Sequence, residues 1–145
     1  MNVDDLLQAY ARRVAFVMRT NGTTSTSKLN EYGTRHFSPV QFLGTFPATE
    51  TPPKTKHRCF YIQNVDPASE PGTHWLGIAR DPDHRDLLFD SFARPPTATW
   101  LPHLRGMALT EQDVDQEAHS TRCGQLCLAF GHVFINHGRE FAQLC

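Results

Sequence analysis

Four polar side chains stand in an order that could do covalent chemistry: His74, Asp90, Gln116 and Cys123. Cys123 opens the apolar run Cys123-Gly124-Gln125-Leu126-Cys127-Leu128-Ala129-Phe130. A cysteine at a helix N-terminus meets backbone N–H groups and the positive end of the helix dipole, and both favour thiolate. His74, in Thr73-His74-Trp75, suits a general base at the rim of a sheet. Asp90 ends the apolar run Leu87-Leu88-Phe89 and could orient that imidazole. Gln116, seven residues before the cysteine, could donate its side-chain N–H to an oxyanion beside the Cys123 amide. Base, orienter, oxyanion donor and thiol are the parts of a cysteine hydrolase.

Each residue has a plainer reading. A lone cysteine is most often a buried packing residue, and that reading is kept for Cys127, one turn deeper on the apolar face. A turn histidine, a strand-end aspartate and a loop glutamine are all common. Asp83 and Asp86 compete with Asp90 but lie nearer the expected turn. Gln112 and Gln125 compete with Gln116, and Gln125 falls inside the helix, past the cysteine. It is the joint order that raises the four above their plainer readings.

The elements that must position these residues can be read from periodicity. Val3, Leu6, Leu7, Tyr10, Val14, Val17 and Met18 predict an amphipathic helix over 3–18, capped by Asn2 or Asp4 and ended by Asn21-Gly22. Residues 21–36 are rich in Thr, Ser and Gly and predict a loop. Phe42-Leu43-Gly44-Thr45-Phe46 is a short apolar segment, and the prolines of 47–55 predict an exposed connection. Strands are expected at 58–65, 74–79 and 86–89, with a tight turn at Asp81-Pro82-Asp83-His84. The 74–89 unit then reads as a hairpin whose open end carries both His74 and Asp90. Residues 108–121 are polar and match no period. A helix is expected over 123–136, stopped by Gly138. The fold class expected is α+β, with a mixed sheet packed on a central helix that carries Cys123. One domain is expected over 1–145, an N-terminal helix and loop (1–36) followed by a catalytic core (37–145).

Composition sets the outer bounds. The chain is 39% hydrophobic and 20% charged, with a formal net charge of −1, so bulk charge points to neither nucleic acid nor membrane. No apolar stretch approaches the ~18 residues of a membrane span. No basic-then-apolar leader is visible, so a reducing, intracellular setting is expected. Four cysteines in 145 residues are too sparse for a disulfide scaffold, and free thiols are expected.

Taken together, these residues resemble the adenovirus-type cysteine proteases (adenain) and their wider clan, which includes SUMO-deconjugating proteases. The resemblance lies in the chain order His, acid, Gln, Cys, and in His74-Trp75, Leu88-Phe89-Asp90-Ser91-Phe92, Gln116…Cys123-Gly124…Cys127…Phe130 and Phe42-Leu43-Gly44-Thr45-Phe46. It covers roughly residues 41–136. The acid is Asp90, as in the SUMO-protease branch, where adenain usually has Glu. The resemblance implies a viral-type endopeptidase of virion maturation that cleaves polyprotein or capsid precursors after glycine, in the host nucleus or the virion. Trp75, Gly124 and Gly44 are the expected substrate-contacting positions. No cofactor or metal is expected. An activating peptide or DNA enters only through the family analogy, and residues 91–122 hold no cysteine to link such a peptide. Two other readings compete: a protease acting on ubiquitin-like tails, and a non-catalytic zinc module built from Cys123, Cys127, His119, His132 and His137.

Overall fold

Alternation along three strands decides which face of the sheet becomes the main core. In the computed structural model, which describes residues 2–20, 24–48, 50–64, 74–91, 104, 106–111 and 122–145, these are β2 (Cys59–Asn64), β3 (Trp75–Arg80) and β4 (Leu87–Phe89). Phe60, Ile62, Trp75, Ala79, Leu87 and Phe89 join the larger apolar cluster, and Tyr61, Leu76, Ile78 and Leu88 join a smaller one. The period of two thus assigns successive residues to opposite faces. β1 (Phe42–Phe46) and β5 (Ala108–Leu109) complete a mixed sheet in the order β1-β2-β3-β4-β5. The inner pairs β2–β3 and β3–β4 are antiparallel, while β1 and β5 run parallel to their neighbours. The expected hairpin is present, with Gly77 opposite Phe89 and Ala79 opposite Leu87.

The helices gather on the larger cluster. α1 (Val3–Met18) is capped by Asn2, whose side chain accepts from the Asp5 N–H. It ends at Arg19, in left-handed conformation, before the expected stop at Asn21-Gly22, which lies outside the described residues. The expected loop over 21–36 is corrected by α2 (Thr26–His36). Ser25 caps α2 through the Lys28 N–H, and Leu29, Tyr32 and Gly33 bury one face at i, i+3 and i+4. Those three contacts outweigh the loop-like composition.

α3 (Cys123–His137) is buried from Cys123 through Phe134, so it is a core helix with no solvent face over those turns. It reaches the sheet closely because Gly131 has no Cβ, and any side chain there would enter the Phe60 ring. Phe130 stacks on Phe89 with centroids 4.9 Å apart. Gly138, at φ 92°, stops α3 as expected, and α4 (Arg139–Gln143) follows. The 47–55 connection is strapped to the sheet more tightly than its prolines suggest. Pro52 is buried, Gln63 Nε2 donates to the Pro47 and Glu50 carbonyls, and Arg80 donates to those of Pro52 and Pro53. All four cysteines are free and buried. No described helix is long and apolar enough to cross a membrane.

Candidate active site

The hairpin register places the two polar ends together. Extending the Gly77–Phe89 pair by one step sets residue 76 opposite Asp90, with His74 on the diagonal. His74 Nε2 lies 3.1 Å from Asp90 Oδ1, and the two side chains are only 8% and 4% exposed. At that distance the two groups form an ion pair whenever the imidazole is protonated. Apo geometry of this kind commonly tightens on substrate binding. Nε2 is thus the ring nitrogen turned to the carboxylate.

Cys123 is the first residue of α3, and the start of this helix differs from those of α1 and α2. Asn2 and Ser25 cap α1 and α2, but Arg122 gives α3 no side-chain cap. Its guanidinium donates instead to Gln8 Oε1 at 2.9 Å. The Cys123 and Gly124 N–H groups, at the start of α3, act on the sulfur. Burial pushes the Cys123 thiol up, and the backbone N–H groups of Trp75, Gly124 and Cys123 itself pull it partly back. The Asp90 carboxylate adds to the rise. The net shift is upward, so the resting sulfur is a thiol, and ionising it calls for a cation beside it.

Trp75 ties the pieces together through its backbone. Its N–H acts on the Cys123 sulfur, and its carbonyl accepts from Cys127 Sγ at 3.3 Å. His74 is its immediate neighbour. Cys127 is fully buried, and burial raises its thiol well above the ordinary value. The two sulfurs share one strand end yet differ in access to N–H donors.

The remaining expected positions are less closely grouped. The Trp75 ring is buried in the main core, 4% exposed. The space that a side chain at Gly124 would take is filled by Thr24 and Leu29, so this glycine lets the start of α2 settle on the start of α3. Gly44, at φ 121°, lies at a register break in edge strand β1, two strands from His74. Gln116 lies outside the described residues, as do Gln112 and His119. Gln125 is buried and donates to the Thr20 carbonyl at 3.3 Å. Among the described residues, no three His, Cys, Asp or Glu side chains gather as metal ligands. His132 is instead hydrogen-bonded to the Tyr32 hydroxyl at 2.7 Å.

Sequence reasoning passed over Asn64 and Ser91. Asn64 is buried and pairs with Trp75 across β2–β3, and its parity with Phe60 and Ile62 sets it on the α3 face. Ser91, fully buried, follows Asp90. A polar residue ending an apolar run on the core-facing parity was the available signal for Asn64. No family model matches this sequence, and no curated protein matches it. Chemically, the arrangement offers a thiol among N–H donors next to an imidazole–carboxylate pair, which are the elements of acyl transfer.

Proposed function

We propose that this protein is a cysteine endopeptidase with an adenain/Ulp-like fold, cleaving protein precursors after glycine in the manner of a viral maturation protease. The observation that carries this reading is the junction at Trp75. On one side, its neighbour His74 meets the buried Asp90 carboxylate. On the other, its N–H meets the sulfur at the uncapped start of α3.

In the proposed reaction, the Cys123 proton passes to His74, and Asp90 stabilises the imidazolium. The thiolate attacks the scissile carbonyl. The oxyanion takes the Cys123 N–H and the Gln116 side chain as donors. His74 returns its proton to the leaving amine, and water then hydrolyses the thioester. Burial raises the thiol pKa, so proton transfer to His74 supplies the nucleophile, and no standing thiolate is needed. The acid is Asp rather than Glu, which favours a ubiquitin-like tail ending in Gly-Gly as the second substrate class to be tried.

A diglycine peptide carrying a thiol-reactive group tests the reading. One adduct, mapped by peptide mass to Cys123 and lost in His74→Ala, is the expected result. Labelling of Cys59, Cys127 or Cys145 in its place, or equal labelling without His74, would overturn it.

A further inference from the structure

A second feature lies on the outer side of α1 and α2, independent of the chemistry at Cys123. Between the end of α1 and the exposed face of α2 is a cleft of about 340 Å³. Arg19, Lys28 and Arg35 line it, against a single carboxylate, Glu31. The whole chain has a formal net charge of −1, so positive charge is concentrated here. Arg35 acts on the neighbouring ring: burial first, then Arg13 and Arg35, hold His36 below its ordinary value.

Arg19 is the one non-glycine residue with positive φ among the described residues, at φ 57° and ψ 32°. Glycine is the usual occupant of such a helix end. A side chain in this conformation is strained, and what it adds is a guanidinium on the cleft. Val17 and Met18 form an apolar part of the wall. Val17 is 40% exposed.

The spacing narrows the occupant. Lys28 and Arg35 are seven residues apart, about 10 Å along α2 at ~1.5 Å per residue. A small anion cannot reach both, but an extended chain covers that distance in about three residues at ~3.3 Å each. Glu31 stands between them and is only loosely paired with Arg35, at 3.8 Å with both side chains 69% exposed. A continuous phosphate backbone would be repelled there, whereas a polypeptide can place an uncharged residue opposite.

We propose that this cleft docks an acidic polypeptide segment bearing a large apolar side chain, with carboxylates at Arg19, Lys28 and Arg35 and the apolar group on Val17 and Met18. The site is well placed to matter to the rest of the molecule. Leu29, next to Lys28, packs over Gly124 beside Cys123.

Fluorescence anisotropy on the full chain tests the proposal. The probes are a labelled peptide alternating Glu with Leu and Phe, the same peptide with Lys for Glu, the same with Ala for Leu and Phe, and a labelled DNA duplex. The first should bind, weaken as salt is raised, and weaken about tenfold or more on Lys28→Glu or Arg35→Glu, a change worth ~1.4 kcal/mol. Glu31→Gln should tighten it, and the Ala peptide should bind less well. Lys28 and Arg35 are exposed, and circular dichroism with thermal melting confirms that each variant is folded. Equal binding of the Lys peptide, indifference to both charge reversals, or tighter binding of the DNA duplex would overturn the proposal.

Discussion

The β3–β4 hairpin carries a basic side chain against a carboxylate at each end, and the two pairs are built differently. At the turn end, Arg80 donates through Nε to Asp86 at 3.3 Å and through its two terminal nitrogens to the Pro53 and Pro52 carbonyls, while its guanidinium lies over the Tyr61 ring. All three nitrogens are engaged, and the charge is permanent. At the open end, His74 approaches Asp90 with one ring nitrogen, in a more buried setting. The first pair fastens a proline-rich strap to the sheet. The second holds a group whose proton can leave, next to the residue that touches a sulfur. A fixed charge with all three nitrogens engaged suits anchoring. A titratable ring beside a carboxylate suits proton transfer.

The sharpest way to break this contrast is to remove the sulfur. Cys123→Ala should abolish peptidase activity while circular dichroism and melting temperature stay near the parent values. Cys127→Ala should retain turnover and lose only the stability of a small buried group. A folded Cys127→Ala protein without activity, alongside an active Cys123→Ala protein, would invert the assignment of the two thiols. Next in size is Asp90→Asn, which keeps shape but removes the charge facing His74. It should lower kcat by about 10²–10⁴-fold, the usual worth of acid–base assistance, while Asp86→Asn at the other end leaves kcat alone. Equal losses from the two substitutions, measured by steady-state kinetics, would erase the distinction. Gln116→Ala should follow, lowering kcat on the order of 10²–10³-fold with Gln112→Ala as control. Alkylation of Cys123 should survive it, because that reaction develops no oxyanion.

Much of the framework was legible because its signals are local. The hairpin declares itself by Asp81-Pro82-Asp83-His84 between alternating apolar runs, and it alone sets residue 76 opposite Asp90. α1 and α3 repeat apolar residues over four turns or more. α2 did not show itself, since its buried face rests on only Leu29, Tyr32 and Gly33 amid Thr, Ser and charged residues. Its stability comes from packing that one sequence does not display. β5, two residues long, exists through parallel pairing with β4, a long-range contact with no local signature. At the site, residue types and order could be read from sequence. The missing cap on α3 and the two-sided role of the Trp75 backbone could not, because both depend on where α3 meets the strand end.

His132 separates burial from chemistry. It stacks on Tyr10 and hydrogen-bonds Tyr32, and burial together with Arg13 lowers its pKa from 6.5 to about 4. The fold therefore holds it neutral while the unfolded chain takes up a proton. The sign follows from that difference: stability is full above pH 6.5, falls as pH drops, and has lost the whole contribution below about 4. The slope should reach at most ~1.4 kcal/mol per pH unit. His132→Gln should flatten it in urea titrations across that window and leave kcat at neutral pH unchanged. An unaltered slope would place the acid sensitivity elsewhere.

The smallest expected effect on turnover belongs to the turn end. Arg80→Met should leave kcat and KM at parent values, because Arg80 and Asp86 stand at the far end of the hairpin from His74. It should cost stability, since the guanidinium satisfies Asp86 and two carbonyls at once. Those groups are partly exposed and water can replace some of the bonds, so the loss should be about 1–3 kcal/mol. Arg80→Lys should recover little of it, because one ammonium cannot reproduce three donors spread over a planar fork. Chemical denaturation measures the cost, and limited proteolysis at 47–55 reports whether the strap has come loose. If Arg80→Met instead lowered kcat with stability intact, the two ends of the hairpin would be coupled. The division between an anchoring pair and a proton-transferring pair would then fail.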